Sequence, residues 1–327
     1  MKIRRILLLL ILVLVVVFFM GPSPKTPNYA QLEMDEVPQD VHQLSNYLNA
    51  EKEGLNIRPY NESFINWVNP DSLYKTEYAM VYLHGFSASP QEGSPVCSDM
   101  AKEFGMNYYA PLLAEHGLVE EEPLLNFTAE KWIASAMEAI EVGKTLGEKV
   151  ILVSVSTGGT ASLFASATND PAIHAQILYS PNIDLYDPRS FIMELPWGLE
   201  IGRKVLGSDY YTWEPPPGAE KFWHAKYRAE ALINLKALLS STMTAQTFEQ
   251  VKIPTMVAYY YRDENHHDDV VSIDAMKEMI SQLGVPQEDQ YIHVLPTVEA
   301  HSMTSGFMCK DIDAVKKVTR EFLQAEL

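Results

Sequence analysis

Four stretches of this 327-residue chain carry residue types that could make and break an acyl bond. The first is Val153-Ser154-Val155-Ser156-Thr157-Gly158-Gly159, an apolar run that passes into small residues. A serine at such a strand-to-helix junction is lifted clear of the sheet by a sharp turn. Its neighbours two positions away must be tiny to avoid the adjoining strand and helix. Gly158 meets that need downstream, with Gly159 after it. Upstream stands Ser154, still small. Ser156 is therefore the candidate nucleophile. The second stretch, His84-Gly85-Phe86, ends an earlier apolar run. Main-chain N–H groups at Phe86 and Thr157 would face the oxygen that becomes negative in a tetrahedral intermediate. Each such donor contributes on the order of 3 kcal/mol of transition-state stabilisation.

A serine hydroxyl is a weak nucleophile until a base takes its proton. His301 is the only histidine after Leu295, in the loop expected to follow the last strand. His293 falls inside a strand pattern and reads as structural. An acid should orient the imidazole, and the segment from Arg262 to Val271 offers Asp263, Asp268 and Asp269. Asp268 is preferred because Asp-x-x-Val leads into a helix that would fix its carboxylate. Asp263 and Asp269 remain alternatives. His266 and His267 beside these aspartates read as a solvated polar loop, since adjacent residues of this kind rarely converge on one ion.

The elements that must hold these groups alternate between strand and helix. Apolar strand patterns occur at 78–83, 107–113, 149–154, 173–180, 253–261 and 290–295. Helical patterns fall at 126–146, 157–167, 272–283 and 312–323. Thr128 is placed to cap the first of these helices. Such alternation predicts a mainly parallel sheet with helices on both faces. About 70 residues between the strands near 180 and 253 break the rhythm and are rich in Trp, Tyr and Phe. They are expected to form a mostly helical cap, at about 185–250, over the carboxyl ends of the strands. There ligands bind in open α/β sheets. Most of its aromatic residues are expected to fill the cap's own core.

Composition narrows the classes. Hydrophobic residues make up 47% and charged residues 21% of the chain, an ordinary globular balance. No repeat or low-complexity tract is visible. The net charge is −18, and it deepens without Lys2, Arg4 and Arg5. Such a surface repels phosphate backbones, so no nucleic-acid partner is expected. Cys97 and Cys309 lack the spacing of a zinc or redox site, and a disulfide between them is left open. The first 25 residues join basic residues to the apolar run Ile6–Met20, broken by Gly21-Pro22. Fifteen apolar residues suit a secretory signal better than a bilayer-spanning helix, which needs about 20. The cleavage pattern after Phe18-Phe19-Met20 is poor. Signal peptide and uncleaved amino-terminal anchor therefore both stand, and either exports the rest, to the periplasm or the extracellular space. Residues 26–45 read as a linker and 46–327 as the catalytic domain.

With these residues placed, the chain resembles the α/β-hydrolase superfamily, nearest its carboxylesterase, monoacylglycerol-lipase and lysophospholipase-like branch. The resemblance runs from about Asn66 to the end. It rests on HGFSAS at 84–89, Pro111-Leu112-Leu113 with His116-Gly117, SVSTGG at 154–159, HDDVV at 267–271, and His301. The departures are Ser154 in place of glycine, roughly five extra residues before Asp268, and Ala300 before the histidine. The resemblance implies Ser156, Asp268 and His301 as a catalytic triad and Phe86 and Thr157 as oxyanion donors. It gives His116-Gly117 a structural role, requires no metal or organic cofactor, and points to a small-molecule acyl ester as substrate. Acyl transfer or thioester hydrolysis by the same acyl-enzyme is the alternative, with a non-catalytic binding protein of this fold behind it. An aspartate-nucleophile chemistry is disfavoured by Ser156. The sequence says nothing of oligomeric state.

Overall fold

The computed structural model describes residues 2–327. Met1, part of the leader reading, lies outside the described residues. The stretch read as a leader forms helix α1 (Lys2–Phe19), whose apolar side chains from Ile6 to Val17 are exposed. Among the described residues no helix is long and apolar enough to cross a membrane. Residues 26–45 were expected as a linker, but up to Pro38 they are tied down. Asn28 N–H donates to Glu130 at 3.0 Å, Tyr29 and Ser241 share a hydroxyl bond of 2.7 Å, and Thr145 Oγ1 donates to Pro38 O at 2.8 Å. Val37 is buried against the core. Its partners lie a hundred residues or more away, so composition alone reads this strap as free chain.

Helix α2 (Leu44–Gly54) buries Leu44 and Leu48 and leads to the edge strand β1 (Phe64–Asn66). Then follow β2 (Thr76–Leu83), α3 (Val96–Glu103), β3 (Asn107–Ala110), α4 (Ala129–Leu146), β4 (Gly147–Val155), α5 (Thr157–Ser166) and β5 (Ile173–Tyr179). The segment after β5 carries α6 (Gly198–Leu206), a hairpin of β6 (Tyr210–Thr212) and β7 (Lys226–Arg228), α7 (Ala229–Thr242) and α8 (Ala245–Gln250). The chain closes with β8 (Thr255–Tyr259), β9 (Tyr261–Asp263), β10 (His266–His267), α9 (Ile273–Gln282), β11 (Gln290–Val294) and α10 (Ile312–Glu326). Seven strands form one sheet in the order β1-β3-β2-β4-β5-β8-β11, parallel except for β1.

The unbroken apolar runs follow from burial on both faces. Ala79, Val81 and Leu83 of β2 join α4, α5 and α7 in one core, while Met80 and Tyr82 face α3 and α10 in another. Helix α4 starts where Thr128 Oγ1 accepts the Lys131 N–H. Its Trp132 is fully buried and its indole N–H reaches Thr157 O at 3.2 Å. The predicted elements are all present, with ends shifted by a few residues. The strand expected to 113 stops at Ala110, because Leu112 and Leu113 hand their N–H groups to Ser63 Oγ and His84 Nε2 instead of to a neighbouring strand. Strand β1, α2 and α3 were not anticipated.

Candidate active site

The four stretches singled out above converge at the carboxyl ends of β2, β4, β8 and β11. Ser156 occupies the one-residue turn between β4 and α5 at φ 54° and ψ −122°, a left-handed conformation that costs a non-glycine residue about 1–3 kcal/mol. The turn is held from three sides. Ser156 N–H donates to Tyr179 O at 3.0 Å, and Ser156 O accepts from Gly159 N at 2.8 Å and Asn182 N at 2.9 Å. A Cβ on Gly158 would lie 2.0 Å from Leu83 O, so only glycine lets α5 approach β2 this closely. Ser154, the departure from glycine, is accommodated because its buried hydroxyl donates to Ile177 O at 3.3 Å.

The N–H groups of Phe86 and Thr157 find no acceptor among the described residues. Both residues are otherwise immobilised. The Phe86 ring packs edge-on to Phe127 and Tyr227 at 5.0 and 5.3 Å. Thr157 Oγ1 accepts from Asn182 Nδ2 at 3.1 Å. Beneath them His84 Nε2 accepts the Leu113 N–H at 3.0 Å, which places the ring proton on Nδ1, bonded to Gly85 O at 2.8 Å. Burial holds His84 neutral by pushing its pKa down to about 4.

His301 lies in the loop after β11 and its Nδ1 meets Asp268 Oδ2 at 2.7 Å. Asp268 is buried, and its other oxygen accepts the N–H groups of Val270 at 3.0 Å and Val271 at 3.4 Å. Burial alone would raise the Asp268 carboxyl. The charge and hydrogen bond of His301, with the Val270 N–H, outweigh it and hold the carboxyl below its ordinary range. Burial likewise opposes charge on His301, yet Asp268 and, more weakly, Glu92 and Asp269 raise it. Ser156 Oγ has no hydrogen-bond partner among the described residues. The structure therefore pairs His301 with Asp268 and leaves the serine hydroxyl free.

The alternatives for the acid are placed elsewhere. Asp263 is exposed and bonds its own neighbours, His266 Nδ1 at 2.7 Å and Asn265 N at 2.9 Å. Asp269 is exposed. The extra residues before Asp268 form the β9–β10 hairpin, and Asp268 N–H returns to Tyr260 O at 3.1 Å. The excursion closes on itself and delivers Asp268 to the end of β8. No group of three or more His, Cys, Asp or Glu among the described residues is arranged to hold a metal ion. Cys97 and Cys309 are both free thiols.

One buried residue at this end of the sheet was not anticipated. Glu92, in the short turn after β2, is fully buried and accepts from Gly85 N at 2.6 Å, Tyr82 Oη at 3.0 Å and Ser302 Oγ at 2.7 Å. The only signal in the sequence was a lone acid within Ala88–Val96, a stretch otherwise of small, polar or apolar residues.

The chain matches no family model and no curated relative. It is similar to many solved structures. One is among the metagenome-derived lipolytic enzymes LipS and LipT, at TM-score 0.65 and 14% identity, covering 82% of this chain and 99% of that one. Est1E from Butyrivibrio proteoclasticus, solved with ferulic acid, matches at TM-score 0.56 and 15% identity, over 81% of this chain and 94% of that one. The monoacylglycerol lipase of Paleococcus ferrophilus matches at TM-score 0.56 and 13% identity, over 81% and 100%. Together with the strand order, these likenesses establish the α/β-hydrolase fold.

Proposed function

We propose that the protein is a serine hydrolase that cleaves small-molecule carboxylic esters through an acyl-enzyme on Ser156. The observation that carries this reading is the 2.7 Å bond from His301 Nδ1 to buried Asp268, at the same end of the sheet as a serine held in a left-handed turn. With its Nδ1 proton committed to Asp268, the imidazole has Nε2 free to accept a proton from Ser156 Oγ once a substrate orders the hydroxyl. Oγ attacks the acyl carbon, and the oxygen that becomes negative is met by the idle N–H groups of Phe86 and Thr157. His301 then protonates the departing alcohol, and a water deprotonated by the same imidazole releases the acid. The ester substrates named for structurally similar proteins, among them a monoacylglycerol lipase, support a lipase- or esterase-like chemistry. The exposed apolar α1, whose first turn carries Lys2, Arg4 and Arg5, supports export with attachment to a membrane.

The test is labelling with a fluorophosphonate, followed by hydrolysis of acyl esters of graded chain length. Labelling and turnover are expected in the native protein and absent from Ser156→Ala. Labelling that persists in that variant removes Ser156 from the role, and acyl transfer to an added alcohol in preference to water would make the protein a transferase.

A further inference from the structure

The buried carboxylate of Glu92 joins the two halves of the site that the triad leaves unconnected. We propose that Glu92 is a positioning residue, a second carboxylate that locks the oxyanion loop to the histidine loop and sets a fixed negative charge against His301. The inference rests on the ester-hydrolase reading above and adds a residue to it.

Gly85 immediately precedes Phe86, and its N–H is held by Glu92 Oε2 at 2.6 Å, so the carboxylate fixes the peptide that leads into the proposed oxyanion donor. Ser302 immediately follows His301, and its hydroxyl is held by Glu92 Oε1 at 2.7 Å. Thr304 Oγ1 adds a bond to the main-chain oxygen of Glu92 at 2.9 Å. Glu92 also lies beneath the nucleophile. A Cβ on Gly85 would sit 3.2 Å from Ser156 Cβ and 3.3 Å from each Glu92 oxygen. Three donors converge on this carboxylate, and among the described residues no lysine or arginine pairs with it. An ionised carboxylate satisfies all three donors, and charge-assisted bonds of this kind are about twice as strong as neutral ones. Burial raises this carboxyl above its ordinary range, and the Gly85, Ser302 and Tyr82 bonds with the charge of His301 offset that only in part.

The titratable groups around the pair can be named. His301 faces Asp268 and Asp269 from the segment after β8 and Glu92 from the turn after β2. Glu92 faces Tyr82 of β2, Cys97 of α3 and His301. Tyr82 and Cys97 are neutral, raised by burial. Among the described residues, Glu92 is thus the carboxyl group that faces the imidazole from the β2 side.

Replacement by glutamine separates the bracing from the charge. A glutamine oxygen at the Oε2 position accepts from Gly85 and Tyr82, and its amide at the Oε1 position donates to Ser302 Oγ. Glu92→Gln should therefore fold and keep kcat within about tenfold of the native protein. Without the negative charge the imidazole becomes easier to deprotonate, so the acid limb of kcat/KM should move to lower pH by about half a unit or more. Glu92→Ala removes both functions and should lose at least about tenfold in kcat with KM little changed. The measurement is the pH profile of p-nitrophenyl ester hydrolysis for the three proteins, with Ser156→Ala as the blank. Should Glu92→Ala not fold, the acid limb of Glu92→Gln decides alone. An acid limb in Glu92→Gln that superimposes on the native one overturns the electrostatic role of Glu92 and leaves the ester-hydrolase reading intact. A native protein without turnover or label at Ser156 overturns both.

Discussion

The sharpest perturbation of the proposed chemistry is Asp268→Asn, because the surroundings of this side chain dictate how the amide must sit. Asp268 Oδ1 accepts two main-chain N–H groups, from Val270 and Val271. An asparagine must keep its oxygen there, since an NH2 group would meet two donors. Its NH2 then points at His301 Nδ1, in the place of the 2.7 Å bond now made by Oδ2. Two donors cannot share that bond, so Nδ1 must become the acceptor and the ring proton moves to Nε2. The nitrogen needed to take the serine proton is then already occupied. Loss of the correct tautomer, together with loss of the charge that stabilises the imidazolium, corresponds to a fall of about 10³–10⁴ in kcat/KM, or about 4–5.5 kcal/mol in activation free energy. Steady-state hydrolysis of a short-chain p-nitrophenyl ester measures it, with circular dichroism and the thermal midpoint as controls for folding. Asp263→Asn, on an exposed hairpin, should stay within about twofold. A variant at 268 that retains a tenth of native activity, or a collapse at 263 in its place, would refute this account of the acid.

Other substitutions have outcomes of stated sign. Ser156→Gly should abolish turnover while raising stability by about 1 kcal/mol in chemical denaturation, because glycine adopts φ 54° without strain. Gly158→Ala forces a methyl group to within 2.0 Å of Leu83 O and 2.7 Å of His84 O, both backbone atoms. It should destabilise the fold by about 3 kcal/mol or more, read as soluble yield and thermal midpoint. Glu51, most of whose carboxyl is buried with Oε2 unpartnered, is pushed up to about 7 by burial. In the unfolded chain it loses its proton near 4.5, so between those values the folded state holds more protons and stability falls as pH rises. Glu51→Gln should remove that loss, gaining on the order of 2–3 kcal/mol at pH 8 and little at pH 4, and a thermal-midpoint series against pH measures the difference.

Much of the site was legible because its chemistry imposes local rules. The need for glycine at 158 and for a serine at a strand end is written in consecutive residues, and His301 stands alone in its loop. Asp268 could be preferred but not separated from its neighbours, because the β9–β10 hairpin that returns Asp268 to Tyr260 O depends on pairing and not on spacing. Glu92 was invisible for a stronger reason. A lone glutamate in a turn reads as solvated, and only the convergence of Tyr82, Gly85 and Ser302 makes its burial tolerable. The same distance in sequence hides the strap from Pro22 to Asp40, and β1 at three residues is too short for any periodicity to register. Of the capping aromatics Trp197, Tyr210, Tyr211, Trp213, Phe222, Trp223 and Tyr227, only Trp223 and Tyr227 are buried, and Tyr227 joins the core shared with β2 and α4 instead of one of the cap's own. Trp197 is instead spent on the end of α1.

That last contact has a mechanical consequence. The Trp197 indole N–H rests on Phe18 O at 3.1 Å and Val17 O at 3.3 Å, its main-chain N–H holds Pro22 O at 2.8 Å, and Gly21 lies beneath the ring. The last turn of α1 and the start of α6 are thereby clamped together across the intervening chain. Displacing the apolar helix therefore pulls on the start of α6, while Pro22 O would keep its hold on Trp197 were residues 1–20 removed.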